Sequence, residues 1–232
     1  MERRAFTRLL ASASVLAVAG NVSVANAFKM PSVPGLGSSG GGGGASWKDI
    51  AETFNDGLKS MAMAALDADG ALTSIGAALG LKREEALAAT TIEQLKEGKP
   101  NGDALADVAA KSKEYSKKVL EELKRKDALD AKQKKEIAVA TGQYFKAFVK
   151  ASGGIVKIAD AKNKASGAGS PGMADGLGAA QAAKDIPVLA PKAISFFSAS
   201  VEVVGALSSY MNENDIAVPE AAEAKKAMSV KF

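Results

Sequence analysis

The chain has 232 residues, 30 of them basic and 26 acidic, for a formal net charge of +4. It has no histidine and no cysteine, which removes disulfides, thiolate nucleophiles, Ser-His pairs and the usual ligands of zinc, copper and haem. Beyond Arg8 the only arginines are Arg83 and Arg125; nucleic-acid recognition favours arginine forks on a concentrated basic surface, so no nucleic-acid partner is expected.

Residues 1–27 read as an export signal. Arg3, Arg4 and Arg8 form a positive start, Leu9 to Gly20 is an apolar run rich in Ala and Ser, and Ala25-Asn26-Ala27 supplies small residues for cleavage after Ala27. The run is shorter than the ~20 residues a bilayer span needs. Arg3-Arg4-Ala5-Phe6 resembles a twin-arginine signal, with Phe6 two places after the pair. Phe28 follows the cleavage point, so a lipidated cysteine is not expected there. Glu2, Arg3, Arg4 and Arg8 carry half of the net charge, leaving a nearly balanced mature chain in the periplasm. Its ~205 residues suffice for one domain with a buried core.

Residues 28–45 hold Pro31, Pro34 and the run Gly40 to Gly44, the composition of a flexible linker. Ser46 and Asp49 then mark a helix start, followed by a stripe of Trp47, Ile50, Phe54, Leu58, Met61 and Leu66. Asp69-Gly70 is expected to end or bend this helix before a second short one carrying Leu72, Ile75 and Leu79. Thr91 and Gln94 are expected to start a third, stopping at Gly98-Lys99-Pro100.

Asp103 is expected to cap a long helix whose inner stripe is Leu105, Val108, Ser112, Tyr115, Val119 and Leu123. Asp130 with Gln133 starts the returning helix, lined by Ile137, Thr141, Tyr144, Phe148 and Ser152 and interrupted at Gly153-Gly154. The pair reads as a helical hairpin with its tip near residues 125–130. After a glycine-rich loop, Ser170-Pro171 is a helix start and Pro187 with Pro191 marks another. The apolar helix from Val188 to Met211 reads as the central element; Lys192 and Glu202 within it argue against a transmembrane span. Asn212 to Asp215 stops it, and Pro219 to Met228 is a small terminal helix. No stretch shows a strand's two-residue alternation. The expectation is an all-α protein: an antiparallel bundle of four to five main helices with short extra helices over 46–216, and a tail over 217–232.

Several local patterns resemble functional motifs without completing them. Asp67-Ala68-Asp69-Gly70 looks like a calcium loop, but Ala65 and Gly76 stand where its first and last ligands belong. Gly76 and Gly80, four apart, read as close helix packing. Glu84-Glu85 and Glu121-Glu122 point ~100° apart on a helix and form no acid-base pair. Met228 to Phe232 has the terminal phenylalanine of a barrel strand without the other strands a barrel needs. The lysine-rich stretch Lys111 to Lys135 admits peripheral membrane contact, although its interleaved glutamates favour a salt-bridged surface.

With the layout in place, Asn214-Asp215-Ile216-Ala217-Val218-Pro219 resembles an element shared by a group of exported helical-bundle proteins of Gram-negative bacteria, which also share the signal and the glycine-rich mature start. The resemblance carries no activity over to this chain; the missing His and Cys, the linker and the lack of a catalytic motif are what bear on function, and no cofactor is expected. The expected function is therefore that of a non-enzymatic periplasmic protein acting through binding, as an accessory or scaffold with a protein partner. One alternative is a carrier of a lipid or other hydrophobic ligand, with Tyr144, Phe148, Phe196, Phe197 and Tyr210 as its lining. The other is a hydrolase without His or Cys. A locally connected bundle folds fast, which suits a route that exports folded protein.

Overall fold

Ser46 caps the first described helix, its Oγ accepting the Asp49 N–H at 3.2 Å. The computed structural model describes residues 45–83, 87–125 and 129–230. Arg3, Arg4, Phe6, Ala25 and Ala27, the linker up to residue 44, Glu84-Glu85 and Phe232 lie outside them. Among the described residues there are six α-helices and no strand. Four are long: α1 (Trp47–Ala78), α3 (Gly102–Arg125), α4 (Ala131–Gly167) and α5 (Gly176–Glu213). Two are short: α2 (Ala89–Glu97) and α6 (Ala221–Met228).

Helix α1 runs unbroken for 32 residues, so Asp69-Gly70 neither ends nor bends it. Gly70 costs a helix about 1 kcal/mol against alanine. The burial of Ala68, Ala71, Leu72 and Ile75 beyond it more than compensates, because the apolar stripe continues in phase. The stop comes at Gly80, left-handed at φ 82°. There the Leu81 N–H reaches Gly76 O at 2.8 Å and the Gly80 N–H reaches Ala77 O at 3.0 Å, a Schellman cap.

Other helix starts also differ from the expectation. Ala88, without a capping side chain, precedes α2, while Thr91 is buried and donates its hydroxyl to Asp107 at 3.0 Å. Asn101, not Asp103, caps α3, its Oδ1 accepting the Ala104 N–H at 2.8 Å. The Asp130–Gln133 box opens α4 as expected, with Gln133 N–H to Asp130 Oδ1 at 2.7 Å and the reciprocal bond at 3.2 Å. Gly153-Gly154 does not interrupt α4, which runs to Gly167. Ser170-Pro171 stays in the loop, followed by a 3-10 turn, Met173–Asp175. Pro187 and Pro191 do not begin a helix but lie inside the 38-residue α5.

The long helices run antiparallel where their contacts give direction. Along α1 and α4, Asp56 meets Lys157, Asp67 meets Lys150, and Ala78 O accepts the Gln133 amide. This is the largest interface in the fold, and α5 packs against α4, α3 and α1. The expected hairpin of α3 on α4 is not formed: these sequence neighbours share almost no contact among the described residues. Short connections favour neighbouring helices, yet the inner stripe of α4 is satisfied by α1, α5 and α6, while α3 spends its stripe on α5 and α1. Helix α6 joins the same core, with Ala224 and Ala227 buried and Glu220 bonded to Lys146 of α4 at 3.0 Å.

Candidate functional site

The aromatic cluster is core. Phe148 and Phe197 stack across α4 and α5 with ring centroids 5.0 Å apart and planes 12° off parallel, the offset geometry aromatic pairs favour. Tyr144, Phe148, Phe196 and Phe197 are each at least 96% buried. Alanines from α1 and α4, among them Ala64, Ala68, Ala147 and Ala151, close the seam around Tyr144, Phe148 and Phe196, and the space left is too small for a water molecule. Tyr210 does not belong to this group: it lies 13 residues beyond Phe197, ~20 Å along the helix. The five residues named as a ligand lining are thus four partners in a filled seam and one distant tyrosine.

Burial pushes the Tyr144 phenol well above the ordinary tyrosine range, with a hydrogen bond to Ser200 opposing the shift in part. Burial also raises Tyr115 and Tyr210. A phenol whose folded-state pKa is raised contributes stability that is complete below its unfolded value, near pH 10, and is lost as pH rises towards the folded value. Titrated from pH 8 upward, absorbance at 295 nm and far-UV circular dichroism should therefore change together. Ionisation of all three tyrosines with helicity intact would contradict this burial.

The second polar constellation is structural. Arg83 Nη2 bonds to Asp69 Oδ1, Nη1 donates to Thr73 Oγ1 at 2.7 Å, and the guanidinium lies 5.0 Å from the Tyr115 ring centroid. The arginine thereby clasps the segment after α1 back onto that helix and onto α3. Asp67 pairs with Lys150 at 3.3 Å, so both acids of the calcium-like run have cationic partners. Removing the guanidinium leaves the Asp69 carboxylate half-buried without its cation, so Arg83→Met is expected to lose ~2 kcal/mol. Urea unfolding checks this, and Arg83→Lys should lose less than the methionine variant.

The lysine-rich stretch is laced with ion pairs: Lys111–Asp107 at 3.1 Å, Lys118–Glu114 at 3.4 Å, Arg125–Glu122 at 3.5 Å and Lys132–Glu136 at 3.9 Å. Burial tends to raise Asp107, yet hydrogen bonds from Lys111 and Thr91 and the Lys111 charge hold it below the usual carboxylate range. Among the described residues no three acids gather as a metal site.

What the sequence reading missed is an exposed apolar face at the start of α5. Met173 is fully exposed, Leu177 is 92% exposed and Val188 53%. Leu177, Lys184, Val188 and Pro191 fall within roughly 60° of helical arc, all solvent-facing apart from the inward stripe of Ala179, Ala182 and Ile186. The pattern is legible once 176–213 is known to be one helix; reading Pro187 as a helix start divides it. By length and composition α5 is also the one helix among the described residues that could cross a membrane, though 44% of its most apolar stretch is buried in this fold. Comparison with known protein families, curated proteins and solved structures finds no match to this chain.

Proposed function

We propose that this is a non-enzymatic, exported helical-bundle protein that acts in the periplasm by binding another protein, as an accessory or scaffold. The observation that carries the reading is the exposure of Met173 and Leu177, the two most exposed large apolar side chains among the described residues, with Val188 further along the same helix as Leu177. Met173 and Leu177, four residues apart in the chain, are almost fully in water, and grouped exposed apolar side chains mark contact surfaces more often than isolated ones do. Export rests on Arg3, Arg4 and Ala25-Asn26-Ala27. No observation favours the carrier reading, since the aromatic seam is filled.

Two measurements test this. A photo-reactive amino acid placed at Leu177 or Val188, in cells that make the protein naturally, should give a discrete heavier band on irradiation. The same group at Val139, exposed on α4, should not. No band at either α5 position, or equal bands at all three, would overturn the binding face. The purified protein should begin at Phe28; a start at Met1 would remove the export reading.

A further inference from the structure

We propose that residues 168–186 form a hinged strap that opens from the bundle while the rest of α5 stays packed, with Pro187 and Pro191 as the hinge. The inference builds on the assignment of this end of α5 to partner contact. Four observations converge on it.

The first is the backbone. A proline lacks the N–H that would bond four residues back. Two prolines spaced one turn apart leave Ala183 O and Pro187 O without their helical donors, at successive turns of the same helix. The ladder is thus weakest where the strap joins the body of α5.

The second is the distribution of buried bulk. Between Gly176 and Ile186 the buried side chains are two alanines and one isoleucine: Ala179, Ala182 and Ile186. Beyond the prolines the same helix buries Phe196, Phe197, Val203, Val204 and Leu207. Local opening is governed by buried apolar area, so the two parts of α5 differ greatly in what holds them.

The third is anchoring. The polar bonds of the strap side chains are local: Gln181 donates to Asp185 at 2.9 Å, and Asp175 accepts the Gly172 N–H at 2.7 Å. Among the described residues the one long-range hydrogen bond at this end runs from Trp47 Nε1–H to Gly169 O. It is a clasp placed at the far end of the strap from the hinge.

The fourth is the exposed apolar face. When the strap lifts, the outer residues Met173 and Leu177 and the inner residues Ala179, Ala182 and Ile186 become available together. The element offered is a short hinged helix whose freed inner face, Ala179, Ala182 and Ile186, docks into an apolar groove of a partner protein, with Leu177 on the opposite side at the rim.

Hydrogen exchange on the purified protein alone tests the device without any partner. Amides 180–186 should exchange at least 100-fold faster than amides 195–207, by an opening that does not unfold the rest. Pro187→Ala with Pro191→Ala restores both helical bonds and should slow amides 180–186 at least tenfold. Trp47→Phe removes the clasp and should speed them, leaving 195–207 within a factor of a few. Equal protection of the two groups, or no response to the proline pair, overturns the strap and leaves the photo-crosslinking result standing on its own.

Discussion

Replacing Phe148 with alanine should destabilise the protein by ~3–5 kcal/mol, the range for deleting a buried phenylalanine and leaving a cavity. The ring is 98% buried, stacks on Phe197 at 5.0 Å, and is flanked by alanines too small to move into the gap. At ~2–4 °C per kcal/mol for a chain of this size, the melting temperature should fall by about 10 °C. A ligand site would behave differently: the void left by a ring that merely lines a pocket costs little in the empty protein. A loss under ~1 kcal/mol by chemical denaturation would thus overturn the packed-core assignment of this cluster and reopen the carrier reading.

The second large effect concerns two glycines that touch across α1 and α4. A Cβ on Gly154 would sit 2.9 Å from Gly57 O and 3.1 Å from the Met61 backbone nitrogen. A Cβ on Gly57 would sit 2.9 Å from Gly154 O and 2.8 Å from Ile158 Cγ1. Because the obstacles include backbone, the helices must separate rather than a side chain rotate. Gly154→Val should cost ~3 kcal/mol or more, since overpacking alone costs ~1–3 and the added branch worsens the clash. Gly153→Ala, one residue away, meets nothing within 4 Å and should gain ~0.5–1 kcal/mol from helix propensity alone. Urea midpoints for the two variants should move in opposite directions, and a Gly154→Val protein as stable as the parent would show that the helices do not cross there.

That pair of glycines also shows where the sequence stops being informative. Two adjacent glycines in a helical pattern read as a break, because each is poor for a helix. Only the tertiary crossing reveals that Gly154 sits at a close approach while Gly153 faces open space. The stripes of Ile50, Phe54, Leu58, Leu105, Val119, Ile137 and Phe148 were legible because a 3.6-residue period needs no knowledge of the partner. The Asp130–Gln133 box was legible for the same reason. Helix ends that rest on long-range packing were not: Gly70 and Pro187 are local breakers overruled by burial further along the chain. The exposed face of α5 was hidden by that same misreading of Pro187. The helical spacing of the aromatic residues marks them as inward, but inwardness alone cannot tell a filled seam from a lined cavity.

The pairing of α1 with α4 rather than with its sequence neighbours has a consequence for the newborn chain. Asp56 and Lys157 meet across 101 residues, and Trp47 and Gly169 across 122. At ~5–20 residues per second of synthesis, α1 emerges from the ribosome roughly 5–20 s before the helix that covers it. Throughout that wait Ile50, Phe54, Leu58 and Met61 have no lasting shelter. The bundle is therefore not the quickly self-closing object that local connectivity would give; its first helix is left waiting for a late arrival. Were the chain exported only after folding, as the twin-arginine resemblance implies, it would have to be shielded for that interval, with its signal unread until the C-terminal half had been made.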